Sequence, residues 1–412
     1  MMARLSAVAC ALMLAACTQT QSPVSFITEG NPARLSDWHL MAVSGGRLNL
    51  NTGVVPYDLN TPLFTDYAQK LRTVWMPKGR SAVYNADTTF EFPVGTIISK
   101  TFYYPKADGP AKAVLATYDT SKTGGDKLDL ANVRLVETRL LVRRADGWIA
   151  LPYVWNAEQT EAVLSRTGDQ MPLEVVHEDR TRKPLTYVVP NVNQCASCHV
   201  ADVKSRQFQP IGPKARHMNR SYSYDGVSVN QLDYLARIGY LSGVPANAAT
   251  AAPHNANWRD QGQTLDARAR AYLDINCAHC HSDKGAANTT ALHLNIGAPA
   301  DLHLGLCKPP VAAGAGTGGH GYGIAPGKPD ESIMVYRLSS DQTGIMMPEL
   351  GRGSVHKEGV ELIRAWIAAM KQGCDATPVI PAQAGIHAAP DGTGCMDSRL
   401  RGNDARGRRA CP

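Results

Sequence analysis

Two short stretches decide how this chain is interpreted: Cys195-Ala196-Ser197-Cys198-His199 and Cys277-Ala278-His279-Cys280-His281. Both have the form CxxCH, in which two residues separate the thiols and a histidine directly follows the second thiol. Thiols at this spacing can each form a thioether with one vinyl group of the same haem, and the following imidazole can then bind the iron. Each of the two motifs therefore marks a candidate haem site.

The repeated motif predicts two haem c cofactors. A zinc site with four cysteine ligands also uses CxxC pairs and is the alternative, but it leaves the histidine after each pair without a role. The residues expected to hold the haems are the thioether cysteines Cys195, Cys198, Cys277 and Cys280 and the proximal iron ligands His199 and His281.

The N-terminus carries the signs of export. Arg4 precedes a short apolar run that ends at residue 16, which predicts a signal peptide over residues 1–16, since the run is too short to span a bilayer. The string that ends at Cys17 is similar to a bacterial lipobox. This resemblance implies that Cys17 carries a lipid and that residues 17–29 form a tether. An ordinary secretory signal that is cleaved nearby is the alternative.

The expected location follows from the same segment. Thr18, rather than an aspartate, follows Cys17, and the lipobox resemblance therefore implies a periplasmic protein anchored to the outer membrane. No other run reaches the roughly 18 apolar residues of a membrane helix, so we expect membrane attachment only through the N-terminal lipid. The formal net charge of +6 does not indicate a nucleic-acid partner. The expected partner is a redox protein of unknown identity.

The cysteine count leaves one pair to assign. Of ten cysteines, Cys307 and Cys374 remain after those of the signal, lipid, haem and tail positions. In an oxidising compartment a disulfide between them is the simplest assignment, and two buried free thiols are the alternative. Residues 375–412 contain the strings PVIPAQAGIH and MDSRLRGNDA and no periodic apolar pattern, so we expect a disordered, repeat-like tail there.

The predicted fold class is α+β. Residues 30–190 contain β-branched and aromatic runs at 96–104, 133–142 and 147–155 that turn-forming residues separate, which predicts a β-rich domain, either a sandwich or a curved sheet. A first haem segment is expected at 191–255 and a second, mostly helical haem domain at 256–374. Apolar residues at helical spacing predict helices over 264–276 and 357–371.

The C-terminal order of helix, CxxCH, loop, Met-Pro and helix resembles bacterial c-type cytochrome domains. The resemblance implies that Met347, just before Pro348, is the distal ligand of the second haem, with Met346 as the alternative. For the first haem the candidates are Met218, His217 and an open or remote ligand, while a core side chain is the alternative role of Met218. His279 is expected at the solvent edge.

Most of the body resembles a bacterial family of dihaem c-type cytochromes without assigned function. The strings that carry the resemblance are VPYDLNTPLFTDYA (55–68), FPVGTIISKTF (92–102), ETRLLV (137–142), YVWNAEQTEA (153–162), NQCASCH (193–199), IGPKAR (211–216), LDINCAHCH (273–281), CKPPVAAG (307–314) and MMPELGR (346–352). The expected function is electron transfer. A peroxidase-like dihaem enzyme with one open-site haem, or an electron-accepting subunit of an exported dehydrogenase, is the alternative, and no catalytic residue is assigned.

Overall fold

The chain folds with its sheets in the N-terminal part and its longer helices towards the C-terminus, so the coarse α-and-β class expected from the sequence is confirmed. A computed structural model describes residues 22–311, 314–371 and 373–374. The signal peptide, Cys17, the start of the tether and the tail from residue 375 lie outside the described residues. No helix in the described ranges is long and apolar enough to cross a membrane.

The strands and α-helices of these residues are numbered in chain order. The strands are β1 (Met41–Ser44), β2 (Arg47–Leu50), β3 (Val55–Tyr57), β4 (Gln69–Trp75), β5 (Ala82–Val83), β6 (Ile97–Pro105), β7 (Ala113–Leu115), β8 (Leu128–Asp129), β9 (Val133–Arg144), β10 (Gly147–Trp155), β11 (Ala162–Leu164), β12 (Asp169–Val176), β13 (Arg182–Val189), β14 (Ser221–Tyr224), β15 (Val227–Asn230) and β16 (Leu241–Ser242). The helices are α1 (Val192–His199), α2 (Ala215–Met218), α3 (Gln231–Arg237), α4 (Ala248–Ala251), α5 (Leu265–Asn276), α6 (Ile333–Leu338) and α7 (Lys357–Ala368).

The three strand runs that the sequence predicts lie side by side as β6, β9 and β10 in the largest sheet. Within the described residues this sheet has six antiparallel strands in the order β11-β10-β9-β6-β4-β3. In β6, Ile97 packs on one face of the sheet and Ile98 on the other, and both are buried. A strand that is covered on both faces needs apolar residues at successive positions, and this run supplies them.

A smaller sheet, β1-β2-β8, covers one face of the large sheet. Trp38 closes the core between the two sheets, where its Nε1 donates a hydrogen bond to the Tyr153 hydroxyl at 2.8 Å. The core between the sheets includes Ile97, Leu140 and Tyr153 of the large sheet and Met41, Leu48 and Leu128 of the small one.

Two clusters of apolar residues pack on the opposite face of the large sheet, and charged side chains lie between the two clusters. Ile98 packs with residues of α2 and α3, and Phe102 packs with residues of the sheet β13-β12-β7. Lys100 lies between these two positions on the same face, because side chains two apart in a strand point the same way. The first CxxCH motif faces the sheet at these charged side chains.

Both helices predicted in the C-terminal part are present. Leu273 of α5 packs in one buried cluster with Ile363 and Trp366 of α7, and Trp366 Nε1 donates to Asp266 Oδ1 at 2.8 Å. The helix α7 ends at Ala368, earlier than predicted, because the Ile367 carbonyl accepts the amides of Gly327 and Met370 instead of continuing the helical pattern.

The C-terminal end of the described chain is tied back to the body. Cys307 and Cys374 form a disulfide, with their Cα atoms 5.2 Å apart. The described residues between 22 and 374 belong to one compact unit. The β-rich part and the segments that carry the two motifs are therefore parts of a single body.

Candidate functional site

The first CxxCH motif lies on α1, directly after strand β13. Asn191 and Gln194 cap this helix reciprocally: Asn191 Oδ1 accepts the Gln194 amide at 2.8 Å, and Gln194 Oε1 accepts the Asn191 amide at 2.9 Å. A capping box of this kind fixes where a helix begins. It therefore sets the direction in which the side chains of Cys195 and Cys198 leave the helix.

His199 is held in one orientation by a main-chain acceptor. Its Nδ1 lies 2.8 Å from the carbonyl oxygen of Gln209. Because a carbonyl oxygen only accepts, Nδ1 carries the hydrogen and Nε2 presents its lone pair. Burial lowers the pKa of His199 to about 3, with Lys100 adding repulsion. The imidazole is thus neutral at physiological pH and is presented as an electron-pair donor.

Cys195, Cys198 and His199 line one cavity. The volume between its walls that the centre of a water molecule can occupy is about 140 Å³. Segments from distant parts of the sequence meet there, and the large sheet forms one wall. Other residues on its walls include Lys70, Arg72, Lys100 and Arg139 from the sheet, Tyr272 and His279 from the second motif region, and Met347, Pro348, Arg352 and His356 from the segment before α7.

Four basic side chains form a row on the sheet wall of this cavity. Arg72 of β4 pairs with Lys100 of β6, which in turn pairs with Arg139 of β9, so three adjacent strands carry a cation at the same level. Lys70 lies two residues before Arg72 and also lines the cavity. We call these four residues the cation row.

The cation row is only partly neutralised by acidic residues. Arg72 pairs with Asp58 at 2.9 Å, and Arg139 pairs with Glu137 at 2.5 Å. Among the described residues Lys100 has no ion pair, and its ammonium lies 5.0 Å from the centre of the Phe102 ring. Burial, followed by repulsion from Arg139 and Arg72, lowers the pKa of Lys100 to about 7. Lys100 is half-buried, and a cation that is partly removed from water without an acidic partner is costly, so this wall is suited to an anion.

The second CxxCH motif begins at the end of α5, where Cys277 is the C-cap residue. The chain then turns tightly, since the His281 amide donates to the Cys277 carbonyl at 2.9 Å. Nδ1 of His281 is buried without a hydrogen-bond partner. Burial, with a contribution from Arg337, lowers the pKa of His281 to about 4.

The two motifs are in direct contact. Cys280 Sγ lies 3.6 Å from the carbonyl oxygen of Ser197, although the two residues are 83 positions apart. The chain segments that follow the motifs also meet, since the Val203 amide donates to the Lys284 carbonyl at 3.0 Å. The structure therefore brings the two CxxCH motifs to one place.

The sequence predicts a position at the solvent edge for His279, whereas in the structure the residue is half-buried. Its side chain lines the same cavity as His199, and its Nδ1 is buried without a hydrogen-bond partner. The physical reason is the contact between the motifs, because the face of the second motif that would otherwise meet solvent is turned towards the first.

Met347 lines the cavity that contains His199. Its main chain is fixed on both sides, since its amide donates to the Arg337 carbonyl at 3.0 Å and its carbonyl accepts Arg352 Nη2 at 2.8 Å. Arg352 is buried and also donates to the Ser340 carbonyl at 2.8 Å. The loop that carries the Met-Pro pair is thus positioned by a buried guanidinium.

Met218 and His217 lie away from this cavity. Met218 is buried in the apolar cluster between the large sheet and α2 and α3, which is its alternative role as a core side chain. His217 is also buried, with Nε2 3.4 Å from Asp274 Oδ2. Arg216 binds the same Asp274 carboxylate through two nitrogens, at 2.7 and 3.1 Å. The structure therefore gives this segment a structural contact with α5.

A buried histidine connects the site to a second cavity. His356 Nε2 lies 2.5 Å from the Tyr118 hydroxyl, and His356 Nδ1 lies 2.9 Å from the Tyr272 hydroxyl. Tyr272 lines the cavity of the first motif, whereas Tyr118 lines the neighbouring one, and His356 lines both. A neutral imidazole donates at one nitrogen and accepts at the other, so one tyrosine donates to His356 and the other accepts from it.

Sequence reasoning missed three of the residues that shape this site: Lys100, Arg139 and Arg352. Lys100 stands in an otherwise β-branched and aromatic run, and a lone lysine in a fully buried strand is the signal that points to an internal anion site. Arg352 belongs to the string MMPELGR, but nothing local shows that its guanidinium turns back onto Met347.

Within the described part of the chain, no group of three or more histidine, cysteine, aspartate or glutamate side chains is arranged to hold a metal ion. No protein-family model, curated protein or solved structure matches the chain. The functional assignment therefore depends on the two motifs and on the geometry around them.

Proposed function

We propose that this chain is an exported dihaem c-type cytochrome that transfers electrons through two covalently bound haems. The observation that carries the proposal is the meeting of the two CxxCH motifs, where Cys280 Sγ lies 3.6 Å from the Ser197 carbonyl oxygen. Two redox centres that exchange electrons must lie close together, and motifs that touch satisfy this need.

The first site fits a covalently attached haem. Cys195 and Cys198 line a cavity on the same side as His199, so both thiols and the imidazole face one space. The hydrogen bond from His199 Nδ1 to the Gln209 carbonyl leaves Nε2 as the free donor. A second partner that fixes the tautomer and the ring orientation is a regular feature of histidines that bind metal.

The cation row also supports a haem at the first site. Each haem carries two propionate groups, and a buried cation near a carboxylate is stabilised by charge-assisted hydrogen bonds. Lys100 lacks an acidic partner among the described residues, and Arg72 and Arg139 lie directly beside it in the sheet. We assign Lys100 and Arg139 to the binding of propionates of the first haem.

The second site takes its support from the order of α5, the motif, the Met-Pro loop and α7 along the chain, which is the order that the resemblance to c-type cytochrome domains leads us to expect. Cys277 and Cys280 would hold the haem and His281 its iron, with Met347 as distal ligand and Met346 as the alternative. When bound, haem supplies reversible one-electron chemistry at iron, and a thioether ligand raises its reduction potential. Arg352 holds the main chain of Met347 in place for this role.

The proposed setting is outside the cytoplasm. The lipobox-like string at Cys17 supports anchoring to the outer membrane, and the disulfide between Cys307 and Cys374 fits an oxidising compartment. The body would then work in the periplasm, with a redox protein as its partner. An electron-accepting subunit of an exported dehydrogenase has the same chemistry and differs only in its partner.

Addition of carbon monoxide to the fully reduced protein separates a carrier from an enzyme. A carrier with two six-coordinate haems should keep its optical spectrum, because both axial positions are filled by protein side chains. If one haem binds carbon monoxide rapidly and stoichiometrically and the protein turns over peroxide, the electron-carrier proposal is rejected in favour of the peroxidase-like enzyme. Absence of any haem spectrum would end the proposal.

A further inference from the structure

His279 occupies an unusual place between the two motifs. In sequence it stands between the cysteines of the second motif, yet it lines the cavity of the first motif with Cys195, Cys198 and His199. The Ile275 carbonyl lies close to its ring, but its Nδ1 is buried and has no hydrogen-bond partner. A buried ring nitrogen without a partner costs free energy unless something else binds it.

Two of the other donors on the cavity walls are already engaged. Both ring nitrogens of His356 are hydrogen-bonded to tyrosine hydroxyls, and Lys70 Nζ donates to the Leu63 carbonyl at 3.0 Å. Met347 also lines the cavity, but the proposed function already assigns its sulfur to the second haem. Met218 and His217 lie outside the cavity. His279 and Lys100 are then the two donors to compare.

The comparison between the two remaining donors favours the histidine. Lys100 is part of the cation row and has a role as the partner of an anion, which requires its protonated form. A neutral imidazole is already an electron-pair donor and loses no proton when it binds a metal. His279 is also anchored at both ends, because Cys277 and Cys280 flank it and Cys280 contacts Ser197.

We propose that a ring nitrogen of His279 is the second axial ligand of the haem that Cys195 and Cys198 carry, opposite His199. This inference rests on the proposed dihaem function and deepens it. The neutral imidazole donates one electron pair to the iron, and no proton or electron is released. The first haem is then six-coordinate through two histidines, one from each motif.

The assignment gives the second motif a double role. Cys277 and Cys280 hold the second haem by thioethers, while His279 between them binds the iron of the first. The two centres are thereby joined through a single short segment of chain, which fixes their separation. A ligand set of this kind suits electron transfer, since both axial positions of the first haem are filled.

The test uses the full mature protein and begins with the unaltered chain. The number of covalent haems is read from intact mass, and the axial ligands are read from the electron paramagnetic resonance spectrum and near-infrared magnetic circular dichroism of the oxidised protein. We expect two haems, of which one shows a two-histidine low-spin signature. Fewer than two covalent haems would overturn the proposed function. Two haems with one high-spin centre, or with a histidine–lysine signature, would overturn only the His279 assignment.

Three variants sharpen the result. H279A should convert one haem of the two to high spin and let the reduced protein bind one equivalent of carbon monoxide, and added imidazole should restore the low-spin spectrum. H279M keeps a donor, so its first haem should stay low spin with a raised reduction potential. H254A removes an exposed histidine outside the cavity and should leave the spectrum unchanged.

A variant of Lys100 tests whether this lysine, and not His279, binds the iron. K100R keeps a cation for the propionate but removes the amine that could bind iron, so the first haem should stay low spin. If K100R opens the haem to carbon monoxide and H279M keeps the ligand signature of the unaltered protein, Lys100 is the ligand and the assignment of His279 is wrong.

Discussion

Gly285 lies directly against the main-chain carbonyl group of Cys280. A Cβ atom at Gly285 would fall well inside contact distance of that carbonyl oxygen and 3.0 Å from the carbonyl oxygen of His279. The Cys280 carbonyl also accepts the Ala287 amide at 3.0 Å, which closes the turn after the second motif. The chain therefore folds back on the motif so closely that only glycine fits.

Gly285→Ala should damage the second haem site selectively. The added methyl group meets main-chain atoms that cannot rotate away, so Cys280 and His281 must shift from the positions in which we propose that they hold a haem. We expect a clear fall in haem loading per chain, measured by intact mass, and a lower thermal unfolding temperature. Gly321→Ala is the matched control, since a Cβ there meets nothing within 4 Å. Equal loading in both variants would contradict the account of this turn.

The buried pair of Arg216 and Asp274 should be a major contributor to stability. Arg216 binds the carboxylate through two nitrogens, and Asn255 Nδ2 donates to the same group at 2.9 Å. Although burial raises the pKa of Asp274, Arg216 and His217 more than offset this and hold it below its usual value. Arg216→Met leaves a buried carboxylate unpaired and should cost about 3–5 kcal/mol in the free energy of unfolding, measured with denaturant.

An exposed ion pair provides the contrast. Arg364 and Asp330 form a 2.7 Å pair on the surface. Arg364→Met should leave the free energy of unfolding within the scatter of the unaltered protein, because solvent screens such pairs. A similar loss in the free energy of unfolding in Arg216→Met and Arg364→Met would show that the buried Arg216–Asp274 pair contributes no more to stability than the exposed pair.

Because of His356, the free energy of unfolding should decrease as the pH is lowered. Burial, followed by repulsion from Lys70 and Arg352, lowers the pKa of His356 to about 3 in the folded chain, whereas an unfolded histidine has a pKa of about 6.5. Between these values only the unfolded chain binds the proton. The stabilisation is therefore fully present above about pH 6.5 and is lost as pH falls, by about 1.4 kcal/mol per pH unit for one such group.

The variant His356→Gln isolates this contribution. It removes the titrating group, so the free energy of unfolding should depend less steeply on pH between about pH 6 and 4 than in the unaltered protein. His254→Gln, at an exposed histidine, should keep the original slope. An unchanged slope in His356→Gln would mean that burial, Lys70 and Arg352 do not keep this histidine neutral in the folded chain.

Met347→Ala should open the second haem on its distal side. We expect one high-spin haem that binds carbon monoxide when reduced, and a fall in the reduction potential of that centre, because a thioether ligand raises it. Met346→Ala is the neighbouring control and should keep the low-spin spectrum. If Met346→Ala opens the haem instead, the ligand is one residue earlier in the loop.

The regular elements were predictable because their signals are local. The β-branched run at β6 and the apolar stripes of α5 and α7 reflect which side chains are buried, and burial repeats with the period of the element. The two motifs are equally local, since Cys195, Cys198 and His199 lie within five residues, and the proposal of a haem starts from this spacing. The end of α7 was misplaced because the amide of Gly327, far away in sequence, takes up the Ile367 carbonyl.

The assembly of the site was not predictable from these signals. The cation row exists only because Arg72, Lys100 and Arg139 are paired by the register of three strands. The position of His279 depends on a contact between Cys280 and Ser197, which no local pattern encodes. The sequence leaves Met218 open as a haem ligand or a core side chain, and only the fold shows that its short helix buries it against the sheet.

The most direct test of the central claim is the mass of the mature protein after acid–acetone extraction, which removes haem that is not covalently bound. The account predicts the polypeptide plus two haems, and the loss of one haem each in C195A/C198A and C277A/C280A. A polypeptide that retains no haem, with zinc released on denaturation in its place, would contradict it.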